Sequence, residues 1–248
     1  IALSPVDAEQ RTRLINPLSA KTSVLTFDSD APLSNRLGYV GASNYGAGRQ
    51  VARLIHEALP EGGKVAVLMA NTTKSNLLDR RSGLEDHINV LLPKEEKREL
   101  GEYEIVDFLV DNGDDEQCAE LIRQTLANHD DLGCFAALNA RHASILLRVL
   151  GEEDQLGKIK LVTFDYDEQI LAAIEDGKIY GTIAQDPYNY GYESIHILAA
   201  HVRGDLGDGG VIGRGNWIVP TQLIRKDNVE EYRAKLKQGA SGAAKESA

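Results

Sequence analysis

Four short apolar runs in this chain each end in a polar residue able to bind a hydroxyl group. Val24-Leu25-Thr26-Phe27 ends in Asp28, and Cys134-Phe135-Ala136-Ala137-Leu138 ends in Asn139. Leu161-Val162-Thr163-Phe164 ends in Asp165, and Tyr180-Gly181-Thr182-Ile183-Ala184 ends in Gln185. Runs of this length and composition read as buried strands of a parallel sheet. In open α/β sheets, ligands bind beyond the carboxyl ends of the strands. Two carboxylates and two carboxamides at such ends form a set of acceptors and donors suited to polyols or sugars.

Between these runs the pattern alternates strand and helix. Ile1 to Ser4 and residues 24–28 read as strands around a helix that starts after Asp7 and ends near Ala20, with Gln10 in capping-box position. Leu37 to Val40 is extended, and Asn44 caps a helix closed by Pro60 and Gly62-Gly63. Strands at 64–70, 103–110, 134–138, 159–164 and 179–184 alternate with helices at 77–91, 114–128, 141–150, 167–176 and 188–202. A Gly-rich stretch, Gly204 to Gly215, leads to a strand from Trp217 to Ile224 and a helix from Asn228 to Lys237. The small-residue tail 239–248 is expected to be disordered. Strands separated by helices imply right-handed βαβ units and a doubly wound parallel α/β fold.

A formal net charge of −11 argues against direct nucleic-acid binding, which rests on Lys and Arg. No apolar stretch approaches the length of a membrane span. The chain opens on Ile1 and carries no signal-peptide pattern, as expected of a processed or trimmed chain. Cys118 and Cys134 read as two buried free thiols rather than a disulfide, although sequence alone does not fix pairing. The histidines (His56, His87, His129, His142, His196, His201) have no HExxH or other metal-ligand spacing, and most are expected on helix surfaces. Gly41 to Gly48 has neither GxGxxG spacing nor a following GK[ST], and no nucleophile elbow is present. No enzyme activity, catalytic residue, cofactor or metal is expected.

The ordered segments Ser4-Pro5-Val6-Asp7, Val24 to Asp30, Gly41 to Gly48, Phe135 to Asn139, Leu161 to Asp165 and Gly181 to Pro187 resemble those of periplasmic sugar-binding proteins of the ribose-binding type, receptors of ABC importers. The resemblance covers essentially the whole chain. It implies two α/β lobes joined by three crossovers, near Gly41–Asn44, Gln185–Asp186 and Gly213–Trp217, with a ligand held between them. One lobe would be residues 1–42 with 187–215, the other 43–186 with 216–248. The family pattern begins with two further βα units, roughly 60 residues, so this chain is expected to be N-terminally incomplete.

The resemblance implies ligand contacts from Asp28 of one lobe, from Arg80, Asn139 and Asp165 of the other, and from Gln185 at a hinge. Ser29 and Asp30 are further candidates; Ser29 stands where ribose binders usually carry an Arg, which removes a fork donor and argues against ribose specificity as such. The competing reading of each Asp or Asn is a plain helix cap, and Asp30 leans that way. The family's second-lobe ring contact falls near Asp111-Asn112-Gly113, which has no aromatic. Tyr166, Tyr188, Tyr190 and Trp217 are the alternatives for stacking, each with core packing as its competing role. The implied function is capture of a neutral sugar or polyol by a monomeric, periplasmic or extracytoplasmic protein, with a lipid anchor through a missing N-terminus as an option, and delivery to a membrane permease. The rivals are the effector domain of a LacI-type regulator and a sugar-sensing ectodomain.

Overall fold

The structure, a computed structural model, describes residues 1–90, 102–205 and 215–246, with side chains to residue 237. The chain divides into two compact units. The first comprises Ile1–Arg49, Asn71–Leu84 and Gln185–Thr221, and the second Gln50–Ala70, Glu85–Ala184 and Gln222–Ala248. These bounds differ from the lobes implied by resemblance, because 43–49, 71–84, 185–186 and 216–221 group with the first unit. The third expected crossover, near Gly213, lies partly outside the described residues.

The first unit carries a four-stranded parallel sheet in the order β1 (Ala2–Leu3), β2 (Leu25–Phe27), β3 (Gly38–Gly41), β9 (Asn216–Ile218). Helix α1 (Ala8–Ser19) connects β1 to β2. Asp7 caps it, accepting from the Gln10 N–H at 2.9 Å, as the sequence predicts. Leu25, Val40, Ala42, Tyr190, Ile197 and Val219 form an apolar cluster in it, to which α7 (Pro187–Arg203) contributes Tyr190 and Ile197.

The second unit carries a six-stranded sheet in the order β10 (Gln222–Arg225), β8 (Gly181–Ala184), β7 (Lys160–Phe164), β6 (Leu132–Ala137), β4 (Gly63–Met69), β5 (Tyr103–Val110). All neighbours are parallel except β10, which runs antiparallel to β8. Helices α4 (Asp115–Asn128), α5 (His142–Glu152), α6 (Glu168–Glu175) and α8 (Val229–Glu246) supply the core with Ile122, Leu146, Val149, Ile174 and Val229. Both cysteines are buried and free. Among the described residues no helix is long and apolar enough to cross a membrane.

Several elements differ from the sequence reading. The single strand expected over 217–224 is two strands in two sheets, β9 and β10. Pro220 separates them, lacking the N–H a continuous ladder needs. Helix α3 (Ser75–Glu85) stops earlier than residue 91. Past its end, the Asn89 carboxamide bonds both the N–H and the C=O of Tyr103 at 3.0 Å, a non-helical pairing. At the other terminus α8 runs to Glu246, so residues 239–246, read as a tail, continue a helix rich in Ala, Lys and Glu. Asn44 opens α2 (Asn44–Ala58), but the cap is Ser43, whose Oγ accepts from the Gly46 N–H at 3.2 Å. That leaves the Asn44 side chain available elsewhere.

The glycines of residues 41–48 serve packing. A Cβ on Gly48 would lie 2.0 Å from the Arg80 carbonyl oxygen, and one on Gly83 2.1 Å from the Tyr45 oxygen. Helices α2 and α3 therefore meet backbone to backbone, which only glycine permits. Gly191, inside α7, has nothing within 4 Å of its would-be Cβ. Gly48→Ala and Gly83→Ala should each destabilise the fold by at least about 1–3 kcal/mol through overpacking. Gly191→Ala should stabilise it by about 0.5–1 kcal/mol through helix propensity. Urea unfolding of the three variants checks both signs.

Candidate functional site

Asp28 and Asp165 occupy equivalent local positions, one in each unit. Each follows a buried Thr and a Phe at the end of a parallel strand, Thr26-Phe27-Asp28 on β2 and Thr163-Phe164-Asp165 on β7. Both have φ of 62°, the left-handed region, which costs a non-glycine residue roughly 1–2 kcal/mol and is tolerated best by Asp and Asn. The Asp28 N–H donates to Val40 O at 3.0 Å and the Asp165 N–H to Ile183 O at 2.8 Å. Their carbonyls accept from hydroxyls on the neighbouring strand, Asp28 O from Tyr39 at 2.9 Å and Asp165 O from Thr182 at 2.6 Å. Strained backbone of this kind persists only where the surrounding structure holds it, as these bonds do on both sides of each residue.

In the first unit the Asp28 carboxylate is half-buried and accepts from Ser4 Oγ at 3.1 Å through Oδ2. Its Oδ1 has no hydrogen-bond partner among the described residues. Ser29 is 1% exposed, and its hydroxyl likewise has no partner there, a deficiency that a bound polar group would relieve. Asp30 is otherwise engaged. Its carboxylate accepts from Thr26 Oγ1 at 2.6 Å, from the Ala31 N–H at 2.8 Å and from Arg36 Nη2 at 2.6 Å, and forms an ion pair with Arg36, whose Nε lies 2.5 Å away. Those contacts make it a loop-holding carboxylate.

Arg80, 3% exposed on α3, belongs to this unit. Its Nε donates to Asn44 Oδ1 at 3.0 Å and a terminal nitrogen donates to Gln185 Oε1 at 2.9 Å. The resemblance assigns Arg80 to the other lobe; the glycine-mediated packing of α3 on α2 and these two bonds group it with Asp28. The resemblance gives Asn44 no ligand contact, and its signal in the sequence, a polar residue at a helix start, has the more common explanation of a cap.

In the second unit Asn139 is half-buried and anchored, its Oδ1 accepting from the Ala70 N–H at 3.2 Å. Its Nδ2 donates to none of the described residues. Of the stacking candidates, Tyr190 is core, Tyr188 is exposed on α7, and Trp217 is half exposed on β9. Tyr166 packs edge-on against Tyr232 with ring centroids 5.1 Å apart.

Sequence reasoning missed a buried polar knot near the end of β5. Asp111 is 1% exposed and accepts from Gly113 N–H at 2.8 Å and Arg141 at 2.6 Å, and lies 2.5 Å from His142 Nε2. Arg141 also pairs with Asp115. His142 and His56 are both buried, while His87, His129, His196 and His201 are half-buried or exposed. Asp111, Cys118 and His142 place their ligand atoms within 4.8 Å of one another. The geometry suits hydrogen bonds rather than a metal, because nitrogen and oxygen ligands on tetrahedral zinc stand roughly 3.3 Å apart, and Arg141 opposes a second cation. Burial raises the Cys118 thiol to about 12, helped by the Asp111 charge beside it.

Burial by itself would raise Asp111, but the hydrogen bonds from His142 and Gly113 and the Arg141 charge outweigh it and hold the carboxyl at about 2. The folded value lies below the unfolded one of about 3.9. The resulting stabilisation is therefore full above about pH 4 and is lost as the pH falls toward 2. Asp111→Asn should lower stability by at least about 2 kcal/mol at neutral pH and flatten its fall between pH 4 and 2, as read by urea unfolding across that range.

With this geometry in hand, residues 1–206 match the periplasmic binding protein domain. The chain belongs to that family. It is similar to the ribose import binding protein RbsB of Bacillus subtilis (strain 168), 26% identical over 208 residues, or 83% of this chain and 62% of that protein. It thus spans less than two thirds of that relative's length. The fold is that of GanP, a glucose-galactose binding protein from Geobacillus stearothermophilus, at 27% identity and a TM-score of 0.79 over 92% of this chain and 76% of that one. A sugar ABC transporter sugar-binding protein from Bacillus halodurans is similar at 25% identity and a TM-score of 0.77, over 94% of this chain and 79% of that one. Against this family, the Asn44–Arg80–Gln185 bonds and the Asp111 knot are features read from this chain itself.

Proposed function

We propose that this periplasmic binding protein takes up a neutral sugar or polyol outside the cytoplasm and delivers it to the permease of an ABC importer. The ligand is held by Asp28, Arg80 and Gln185 from the first unit and by Asn139 and Asp165 from the second, with the Ser29 hydroxyl beside Asp28 as a further donor. No covalent chemistry is involved, and binding selects a conformation in which both sets contribute.

The observation that carries this reading is the matched pair of left-handed aspartates. Each is fixed at a strand end by bonds on its N–H and its C=O, and a carboxylate so fixed is the natural acceptor for sugar hydroxyls. Charge-assisted hydrogen bonds of this kind contribute roughly 1.5–3 kcal/mol each. Kinship with proteins named for ribose, glucose and galactose supports the same class of ligand, and their different names keep the particular sugar open.

A thermal-shift screen against pentoses, hexoses and polyols, with nucleotides as controls, tests the reading. A sugar should raise the melting temperature, and Asp165→Ala should weaken its binding at least about tenfold, roughly 1.4 kcal/mol, by calorimetry. A shift with nucleotides alone would replace transport with a regulatory role. Unchanged affinity in Asp165→Ala would remove that residue from the site.

A further inference from the structure

Arg80 and Asp28 are linked inside the first unit by two residues that sequence comparison does not single out. We infer that Tyr39 and Asn44 are positioning residues for sugar binding, holding Arg80 and Asp28 through a directional chain of hydrogen bonds. The inference rests on the sugar-binding reading above and deepens it.

The direction of the chain follows from donor and acceptor chemistry. A guanidinium only donates, so the Asn44 carboxamide must turn its oxygen to Arg80 Nε, 3.0 Å away. Its nitrogen then faces the Tyr39 hydroxyl at 3.4 Å, the longest step. The hydroxyl accepts there and has its single proton for the Asp28 carbonyl at 2.9 Å or the Ala42 carbonyl at 3.2 Å. No other orientation of the Asn44 amide satisfies both neighbours. At the far end Arg80 donates to Gln185, so three residues proposed to touch the ligand hang on one relay.

Burial makes the relay rigid. Tyr39, Asn44 and Arg80 are 4%, 8% and 3% exposed, which leaves little water to compete for these bonds. Tyr39 and Gly41 are two apart on β3 and share a face. A Cβ on Gly41 would lie 2.2 Å from the Tyr39 hydroxyl oxygen, so the hydroxyl fills the space that the glycine leaves open. Burial, with Tyr190, Asp28 and Asp30 nearby, raises the Tyr39 phenol far above its usual range, which keeps it a donor. In the second unit Thr182 makes the corresponding bond to the Asp165 carbonyl. The same backbone conformation is thus held by a hydroxyl twice, with different side chains.

The test is a set of thermodynamic cycles read by calorimetry with D-ribose, D-arabinose, D-glucose and D-galactose. Tyr39→Phe should weaken binding about fivefold in the wild-type background and less than twofold when combined with Asp28→Gly, a change that accepts the left-handed backbone. Equal losses in both backgrounds would mean that Tyr39 supports the fold generally and would overturn the inference. Asn44→Leu should weaken binding at least tenfold, and Asn44→Asp, which keeps an acceptor for Arg80, should recover much of that loss. Independently of any sugar, hydrogen exchange of the Arg80 Nε–H by NMR should be slow in the wild type and Tyr39→Phe and fast in Asn44→Leu. Exchange unchanged by Asn44→Leu overturns the relay itself. An intact relay in a protein that binds no pentose, hexose or polyol overturns the positioning role together with the sugar reading, whereas a disrupted relay with unchanged sugar affinity overturns the positioning role alone.

Discussion

The close crossing of α2 and α3 is the contact from which the first unit's polar interior follows. Gly48 and Gly83 remove the Cβ atoms that would hold the two helices apart, and each meets a backbone carbonyl of the other helix. That approach carries Arg80 into a site where its charged fork is almost wholly buried. A buried guanidinium must be met by acceptors, and Asn44 and Gln185 supply two of them. The glycine-rich segment that faintly suggests a nucleotide loop therefore has a mechanical role. It lets α3 set the Arg80 cation against Asn44 and Gln185.

The two units hold their aspartates by the same backbone device while surrounding them differently. Around Asp28 lie an orphaned serine hydroxyl, a tyrosine and an arginine relay. Past the second sheet stand Asn139, tied to the end of β4, and the Asp111 knot at β5. The knot occupies the stretch where the resemblance leads one to expect an aromatic ring. A hydrogen-bonded ion cluster there favours polar over stacking character at that edge of the second unit.

Much of the fold was legible along the chain. Strand β5 reads at its observed bounds, Asp7 caps α1 as expected, and α4 begins one residue after the Asp114 start read from the sequence. The misreadings share one cause, because each concerns a residue whose role is set by a distant neighbour. Asn44 reads as a cap until Ser43 is seen to cap and Arg80 is found beside it. Residues 217–224 read as one strand although Pro220 divides them between two sheets. His142 is an unremarkable residue at a helix start until Asp111, 31 positions earlier, is found against it.

What the sequence determined by itself was the placement of Asp28, Asn139, Asp165 and Gln185 at or just beyond strand ends. Short apolar runs, their lengths and the turn residues after them are local signals, and they place these groups without reference to the rest of the chain. Tertiary structure alone decided which polar groups remain available. Asp30 is taken up by Arg36, Asn44 is turned inward to Arg80, and Arg80 joins Gln185 across 105 positions of sequence. Hydrogen bonds saturate, so a side chain's availability depends on which partners the fold brings within about 3 Å, and no local pattern records them.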